Sequence, residues 1–266
     1  KIYGDNSGML EYFNEVVGTE QNCICISCPR RFGKSITAGM LTAYYDRSCD
    51  SHALFQNLKV AQTEDYERYL NRYDVIHLDI TSFRRPGETS EGILHRINSD
   101  VIAELQELYP ESFSKETTYL PDVLAEVHNK TGAQFVIIID EWDALFREDK
   151  YDTKVQIEYV ELLRGLFKSA LSKKFVKLAY LTGILPIKKY GTESALNNFD
   201  EFTMVNADYF AEYTGFTEQE VKELGDAYHM DFSELKRGYD GYLLDTDLHV
   251  YNPKSVVDAI RRKRVA

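Results

Sequence analysis

Lys34 and Ser35, preceded by Gly33, and the adjacent acids Asp140 and Glu141 are the residues whose types and spacing suit chemistry on a phosphoanhydride. Cys28-Pro29-Arg30-Arg31-Phe32-Gly33-Lys34-Ser35 follows the pattern GxxxxGK[ST], except that Cys28 stands where the first glycine belongs. In such a loop the backbone amides and a helix N-terminus form an anion nest. The lysine ammonium reaches the terminal phosphates and the hydroxyl holds Mg²⁺. Gly33 is small because the backbone approaches phosphate there. This reading assigns Pro29, Arg30, Arg31, Phe32, Gly33, Lys34, Ser35 and Ile36 to nucleotide binding, with ATP and Mg²⁺ as the expected ligands. A plain turn before a helix would carry the same tripeptide, so the surrounding elements and an acidic partner downstream must decide.

That partner is Val136-Ile137-Ile138-Ile139-Asp140-Glu141, an apolar run ending in two carboxylates. At the carboxyl edge of an open α/β sheet, such a run points its acids into the ligand crevice. Asp140 is expected to hold Mg²⁺ together with Ser35, and Glu141 to polarise the attacking water as general base. Asp143 is placed with the nucleotide-binding set, where it would orient an arginine or water. Thr182, closing a fourth apolar run, stands where a polar side chain bonds the γ-phosphate or the lytic water, the place called sensor 1. Lys34, Glu141 and Thr182 are thus the expected catalytic group. Arg30, Arg31, Arg147 and Arg164 are candidates for a charge-stabilising finger.

The elements that position these residues are legible as alternating patterns. Apolar runs at Cys23 to Ser27, Val75 to Ile80, Phe135 to Asp140, Val176 to Thr182 and, more weakly, Phe202 to Val205 suit strands of a parallel sheet covered on both faces. Between them, Ile93, Leu94, Ile97, Val101, Ile102, Leu105 and Leu108 mark one helical face, as do Val155, Tyr159, Leu162, Leu163, Leu166 and Phe167. Right-handed crossovers then give a three-layer α/β sandwich over residues 1–206. Residues 207–266 read as a small, mainly helical lobe. Its signals are the capping box Thr217-Glu218-Gln219-Glu220, Asn252-Pro253 at a helix start, and a run from Ser255 to Ile260 that continues past Ala266 in a longer protein.

A net charge of −12 opposes non-specific attraction to nucleic acid or an anionic membrane. Any nucleic-acid contact needs a local basic cluster, such as Lys173-Lys174 or Arg261 to Arg264. No apolar stretch is long enough to span a membrane and no signal region is present, so a cytoplasmic location is expected. Four cysteines, three of them within Cys23 to Cys28, suit a reducing compartment. Cys23, Cys25 and Cys28 lack a second Cys or His pair at zinc-site distance and read as small strand residues. No histidine is framed as in a metalloprotease or serine hydrolase.

Together, PRRFGKS, IIIDEWD, LTGILPI, YTGFTEQEV and YDGY followed by VYNPKSV resemble, in order and over nearly the whole chain, the bacterial predicted AAA-ATPase-like family. Its members often carry a C-terminal PD-(D/E)XK nuclease-like domain. The resemblance implies a P-loop NTPase fold of the additional-strand glutamate class, sheet order 5-1-4-3-2, with a C-terminal helical or winged-helix-like lobe. It sets Lys34, Ser35, Asp140, Glu141 and Asp143 on the family's motif positions. The loop wording is also similar to archaeal and STAND ATPases, which implies a switch that uses ATP to change shape or assembly. The expected partners are a neighbouring subunit or a C-terminal domain. Two departures stand out: Cys28 replaces a usual basic residue, so thiol chemistry would tune the loop, and Asn6 replaces a lysine in the segment Tyr3-Gly4-Asp5-Asn6-Ser7. Two other readings fit the same residues, a nucleotide-gated interaction module without turnover and a P-loop small-molecule kinase. The adjacent acids favour activation of water over the kinase.

Overall fold

The computed structural model describes residues 6–28, 34–148, 152–190 and 196–203, together with 216–217, 222, 242–243 and 249–251. Within them the strands are β1 Cys23–Ser27, β2 Asp74–Asp79, β3 Phe135–Asp140, β4 Val176–Gly183 and β5 Asp200–Thr203. They form one sheet in the order β2-β3-β4-β1-β5 with every pairing parallel. This is the order anticipated from the family resemblance, read from the opposite edge. The main helices are α1 Met9–Val16, α2 Lys34–Tyr45, α5 Ser90–Leu108, α6 Leu120–Thr131 and α8 Thr153–Phe167. Shorter ones are α3 His52–Phe55, α4 Tyr66–Tyr69, α7 Ala144–Glu148, α9 Ser172–Phe175 and α10 Ile187–Tyr190.

The apolar runs become strands because both faces are covered. Side chains alternate across a strand, and the two faces enter two separate cores. Ile24, Ile26, Val136 and Ile138 pack with Leu10, Phe13, Leu41 and Tyr44 of α1 and α2. Cys25, Ile137, Ile139 and Leu181 pack with Ile97, Leu124 and Leu163 of α5, α6 and α8. Ile138 is wholly buried, so truncating it to alanine costs about 2–5 kcal/mol. All six residues of β3 are buried, which makes it the rigid floor beneath Asp140.

Several strand boundaries differ from expectation, β4 by running one residue further to Gly183. β2 begins at Asp74 and stops at Asp79, because its ladder runs in register with β3 from Asp74↔Phe135 to Asp79↔Asp140 and ends where β3 ends. Ile80 falls in the following turn, which the Asp79 side chain caps through the amide of Thr81. β5 begins at Asp200, set by its pairing with Ile24 to Ser27 of β1.

Helix ends follow local chemistry. The Thr89 side chain accepts from the Gly92 amide at the start of α5, and Asp152 does the same for Val155 at α8, each cap being worth about 1 kcal/mol. Gly132 ends α6 in the left-handed region at φ +75°, where a residue without Cβ is least strained. On α5, Ile93, Leu94, Ile97, Val101 and Leu105 are buried as the spacing predicts, but Leu108 in the last turn is exposed.

In the C-terminal part the described residues are β6 Phe216–Thr217, β7 Tyr242–Leu243 and β8 His249–Tyr251, an antiparallel sheet in the order β6-β8-β7, with Lys222 helical. Thr217, expected to cap a helix, pairs with Val250 in that sheet. The rest of the capping box, Asn252-Pro253 and the run from 255 to 260 lie outside the described residues, as does the expected boundary at 206. Among the described residues no helix is long and apolar enough to cross a membrane.

Candidate functional site

The chemistry-bearing side chains meet at the carboxyl ends of β1, β3 and β4. β1 ends at Ser27 and α2 begins at Lys34, which is bonded to the end of β4 at this edge of the sheet. Of the expected loop residues, Pro29, Arg30, Arg31, Phe32 and Gly33 lie outside the described residues. Lys34 is buried, and its ammonium donates to the carbonyls of Cys28 at 2.7 Å and Gly183 at 2.9 Å. Ser35 and Ile36 are exposed on the first turn of α2.

The two acids take different environments because β3 stops between them. Asp140 is buried and accepts a hydrogen bond from the Thr182 hydroxyl. That hydroxyl in turn accepts from the amide of Glu141 at 3.3 Å, and the amide of Trp142 donates to the Thr182 carbonyl at 2.9 Å. One threonine therefore locks the end of β3 to the end of β4. Glu141 itself has φ +54°, a left-handed conformation that costs a non-glycine residue about 1–3 kcal/mol and persists where the surroundings over-determine it. The bend turns the Glu141 carboxylate toward Lys34, with Oε1 at 4.0 Å from the ammonium, the outer limit of an ion pair. Its Oε2 pairs with Arg147.

Asp143 lies deeper than a ligand-facing residue would. It is wholly buried, and its Oδ2 accepts from the amides of Ile184 at 3.0 Å and Leu185 at 2.8 Å. The same oxygen is 3.1 Å from Nε of Arg147, an ion contact in which that nitrogen makes no hydrogen bond. Of the finger candidates, Arg147 is thus committed to Glu141 and Asp143, and Arg164 pairs with Glu161 at the surface. Arg30 and Arg31 lie outside the described residues.

Cys28 departs from what its position suggested. Its side chain is buried, and burial pushes the thiol up to about 11, with Lys34 pulling down and Glu141 adding to the rise. The reactive form of cysteine is the thiolate, so burial of Cys28 works against the expected thiol tuning of the loop. Cys23 and Cys25 are also pushed up by burial, and all four cysteines are free.

Gly183 is the residue that motif reasoning passed over. Its carbonyl accepts from Lys34 and from the Cys28 amide at 3.1 Å. A Cβ there would lie 2.6 Å from Trp142 Nε1 and 2.9 Å from Asp143 Oδ1, so only glycine fits. The signal was the Thr182-Gly183 pair at a strand end, which reads equally as an ordinary turn.

Among the described residues no group of three or more His, Cys, Asp or Glu side chains converges as a metal cage. Mg²⁺ at nucleotide sites needs only one or two carboxylates besides phosphates and water, and Asp140 and Ser35 are the residues that could hold it. A cavity of about 970 Å³ lies elsewhere, lined by Leu94, Ile102, Phe113, Tyr119 and Ile157, and includes none of the clustered polar residues.

No curated protein matches the chain. Among solved structures, a chain in the structure of Drosophila ORC bound to AT-rich DNA and Cdc6 aligns at TM-score 0.39 and 12% identity, covering 97% of this chain and 75% of that one. A chain in the GC-rich DNA counterpart aligns at TM-score 0.36 and 13% identity, covering 88% and 67%. A chain of Rif2 in complex with the C-terminal domain of Rap1 gives 0.32 and 11%, covering 87% and 64%. The family model described as Predicted AAA-ATPase, AAA-ATPase-like, matches residues 10–192, and the chain belongs to that family.

Proposed function

We propose that the cluster at the carboxyl edge of β1, β3 and β4 binds Mg·ATP and hydrolyses it, and that the chain uses the cycle as a conformational switch. The observation that carries this reading is the convergence of a buried Lys34 and a bent Glu141 within 4.0 Å, beside a buried Asp140 fixed by Thr182. A desolvated ammonium beside an acid it barely touches is suited to an anionic ligand that completes the charge balance. Family membership supports a nucleotide-binding P-loop module as that ligand's host.

In the proposed reaction Lys34 holds the terminal phosphates, and Ser35 and Asp140 would hold Mg²⁺. The ion would supply positive charge to offset that of the phosphates. Glu141 Oε1 accepts a proton as water attacks the γ-phosphorus. The new O–P bond forms as the bond to the β–γ bridging oxygen breaks, and ADP and phosphate leave. The Thr182 hydroxyl holds the Asp140 carboxylate and the Glu141 amide in register throughout. A neighbouring subunit or a C-terminal domain is the proposed receiver of the change, and a reducing cytoplasm the proposed setting, which the four free cysteines favour.

Titration with a fluorescent ATP analogue, with and without Mg²⁺, tests the binding half. Mg²⁺-dependent binding weakened by Ser35→Ala is expected, and equal binding in all conditions counts against the assignment. ADP formation that needs an added acceptor would turn the reading to a kinase. Saturable binding with no phosphate release would turn it to a gated module.

A further inference from the structure

We propose that Arg147 is a positioning residue for the Glu141 carboxylate, with Asp143 as its anchor; this rests on the hydrolytic reading above. Three observations carry it. First, the two oxygens of Glu141 are divided: Oε2 is paired with Nη2 of Arg147, while Oε1 faces the Lys34 ammonium at 4.0 Å. One oxygen is held and the other is turned toward the place where phosphate and water would meet. Second, Arg147 is itself fixed. Its side chain is 13% exposed, and its Nε lies against Asp143, which is wholly buried and bound by the amides of Ile184 and Leu185. Third, the backbone bend at Glu141, φ +54°, turns the side chain toward Lys34 but leaves its own torsions to be fixed by a partner. A glutamate has three side-chain torsions, and a planar guanidinium restricts them more tightly than a point charge does.

The chain of contacts runs from the turn after β4, through Asp143 and Arg147, to the acid expected to accept the proton. A shift at Ile184-Leu185 would therefore reach Glu141 without touching nucleotide. Arg147 has Nη2 paired with Glu141 and Nε in ion contact with Asp143, both within its own chain, a role distinct from that of a finger offered to phosphate. An acid misplaced by about 1 Å loses on the order of 10²-fold in rate, and that is the effect assigned to Arg147.

The experiment compares the parent chain with Arg147→Gln, Arg147→Lys, Glu141→Gln and the double variant Glu141→Gln/Arg147→Gln, measuring kcat, KM, ATP affinity and thermal midpoint. Arg147→Gln is expected to lower kcat by about 10²-fold while KM and ATP affinity stay within about 3-fold. Arg147→Lys should recover part of the loss, and the double variant should be no slower than Glu141→Gln, because Arg147 acts through Glu141. A kcat for Arg147→Gln equal to or above the parent's overturns the proposal, as does a loss that adds to that of Glu141→Gln. A loss mirrored in ATP affinity and thermal midpoint also overturns it, reducing Arg147 to a structural ion pair; Arg147→Lys, which keeps the charge, guards against misfolding as the cause. Parent turnover indifferent to Glu141→Gln overturns the hydrolytic reading and this proposal together, whereas turnover lost in Glu141→Gln and kept in Arg147→Gln overturns this proposal alone.

Discussion

β2 and β3 lie side by side, parallel and in register, and each ends in aspartate: Asp79 stands opposite Asp140. Asp79 is partly exposed and spends its carboxylate on its own turn, accepting from the amide of Thr81 at 2.9 Å and from the Thr81 hydroxyl at 2.6 Å. Asp140 is buried and bonded across to Thr182 on the next strand. β2 is the sheet edge, so its end faces water on one side, whereas β3 sits between β2 and β4 with α2 beginning nearby. Position in the sheet, more than the local string of residues, makes one aspartate a cap and the other part of a site.

Substitutions break this comparison in order of expected effect. Glu141→Gln, which keeps the shape but removes the base, should lower ATP turnover by about 10² to 10⁴-fold while ATP still binds, read by phosphate release and nucleotide titration. Asp140→Ala should lower turnover by about 10-fold to 100-fold and raise the Mg²⁺ concentration needed. Asp79→Ala should leave turnover unchanged and cost about 0.5–2 kcal/mol in denaturant unfolding, as loss of a cap does. Equal effects of the two aspartates on turnover would undo the distinction between the strand ends.

Thr182→Val sharpens the same contrast. It leaves buried Asp140 and the Glu141 amide without their shared partner, at a cost of about 1–3 kcal/mol seen in unfolding midpoints. Thr81→Val at the β2 end, where water can replace the hydroxyl, should cost less than Thr182→Val. The smallest expected effect is chemical. At pH 8 in the native protein, Cys49 at the surface should react promptly with a thiol reagent, while Cys28 should not. The Cys28 thiol, pushed up to about 11, stays protonated at pH 8 and gains reactivity only as the pH rises toward 11.

Much of the sheet was legible because β1, β3 and β4 are buried on both faces and therefore read as unbroken apolar runs. Their order came from the family resemblance, since spacing of runs along a chain does not state which strands are neighbours. The end of β2 was misjudged by one residue because Ile80 is as apolar as any strand residue and is buried in the turn. Lys34, Asp140, Glu141 and Thr182 were legible as motif positions, and the structure brings these four together. The role of Gly183 and the burial of Asp143 were not legible in the same way, although an arginine beside Asp143 was anticipated. One depends on space denied to a Cβ by Trp142 and the other on two backbone amides from another strand's turn, and neither leaves a periodic trace. The pairing of Thr217 with Val250, distant in sequence, was not legible in the local capping pattern; an extended Thr217 is compatible with an N-cap, and Lys222 beyond it is helical.

The most direct test of the central claim is phosphate release from Mg·ATP by the purified chain beside Lys34→Ala and Glu141→Gln. The site described here predicts turnover by the parent, loss of ATP binding in Lys34→Ala, and ATP bound without turnover in Glu141→Gln. Turnover that survives Glu141→Gln, or a parent chain that does not bind ATP at all, would contradict it.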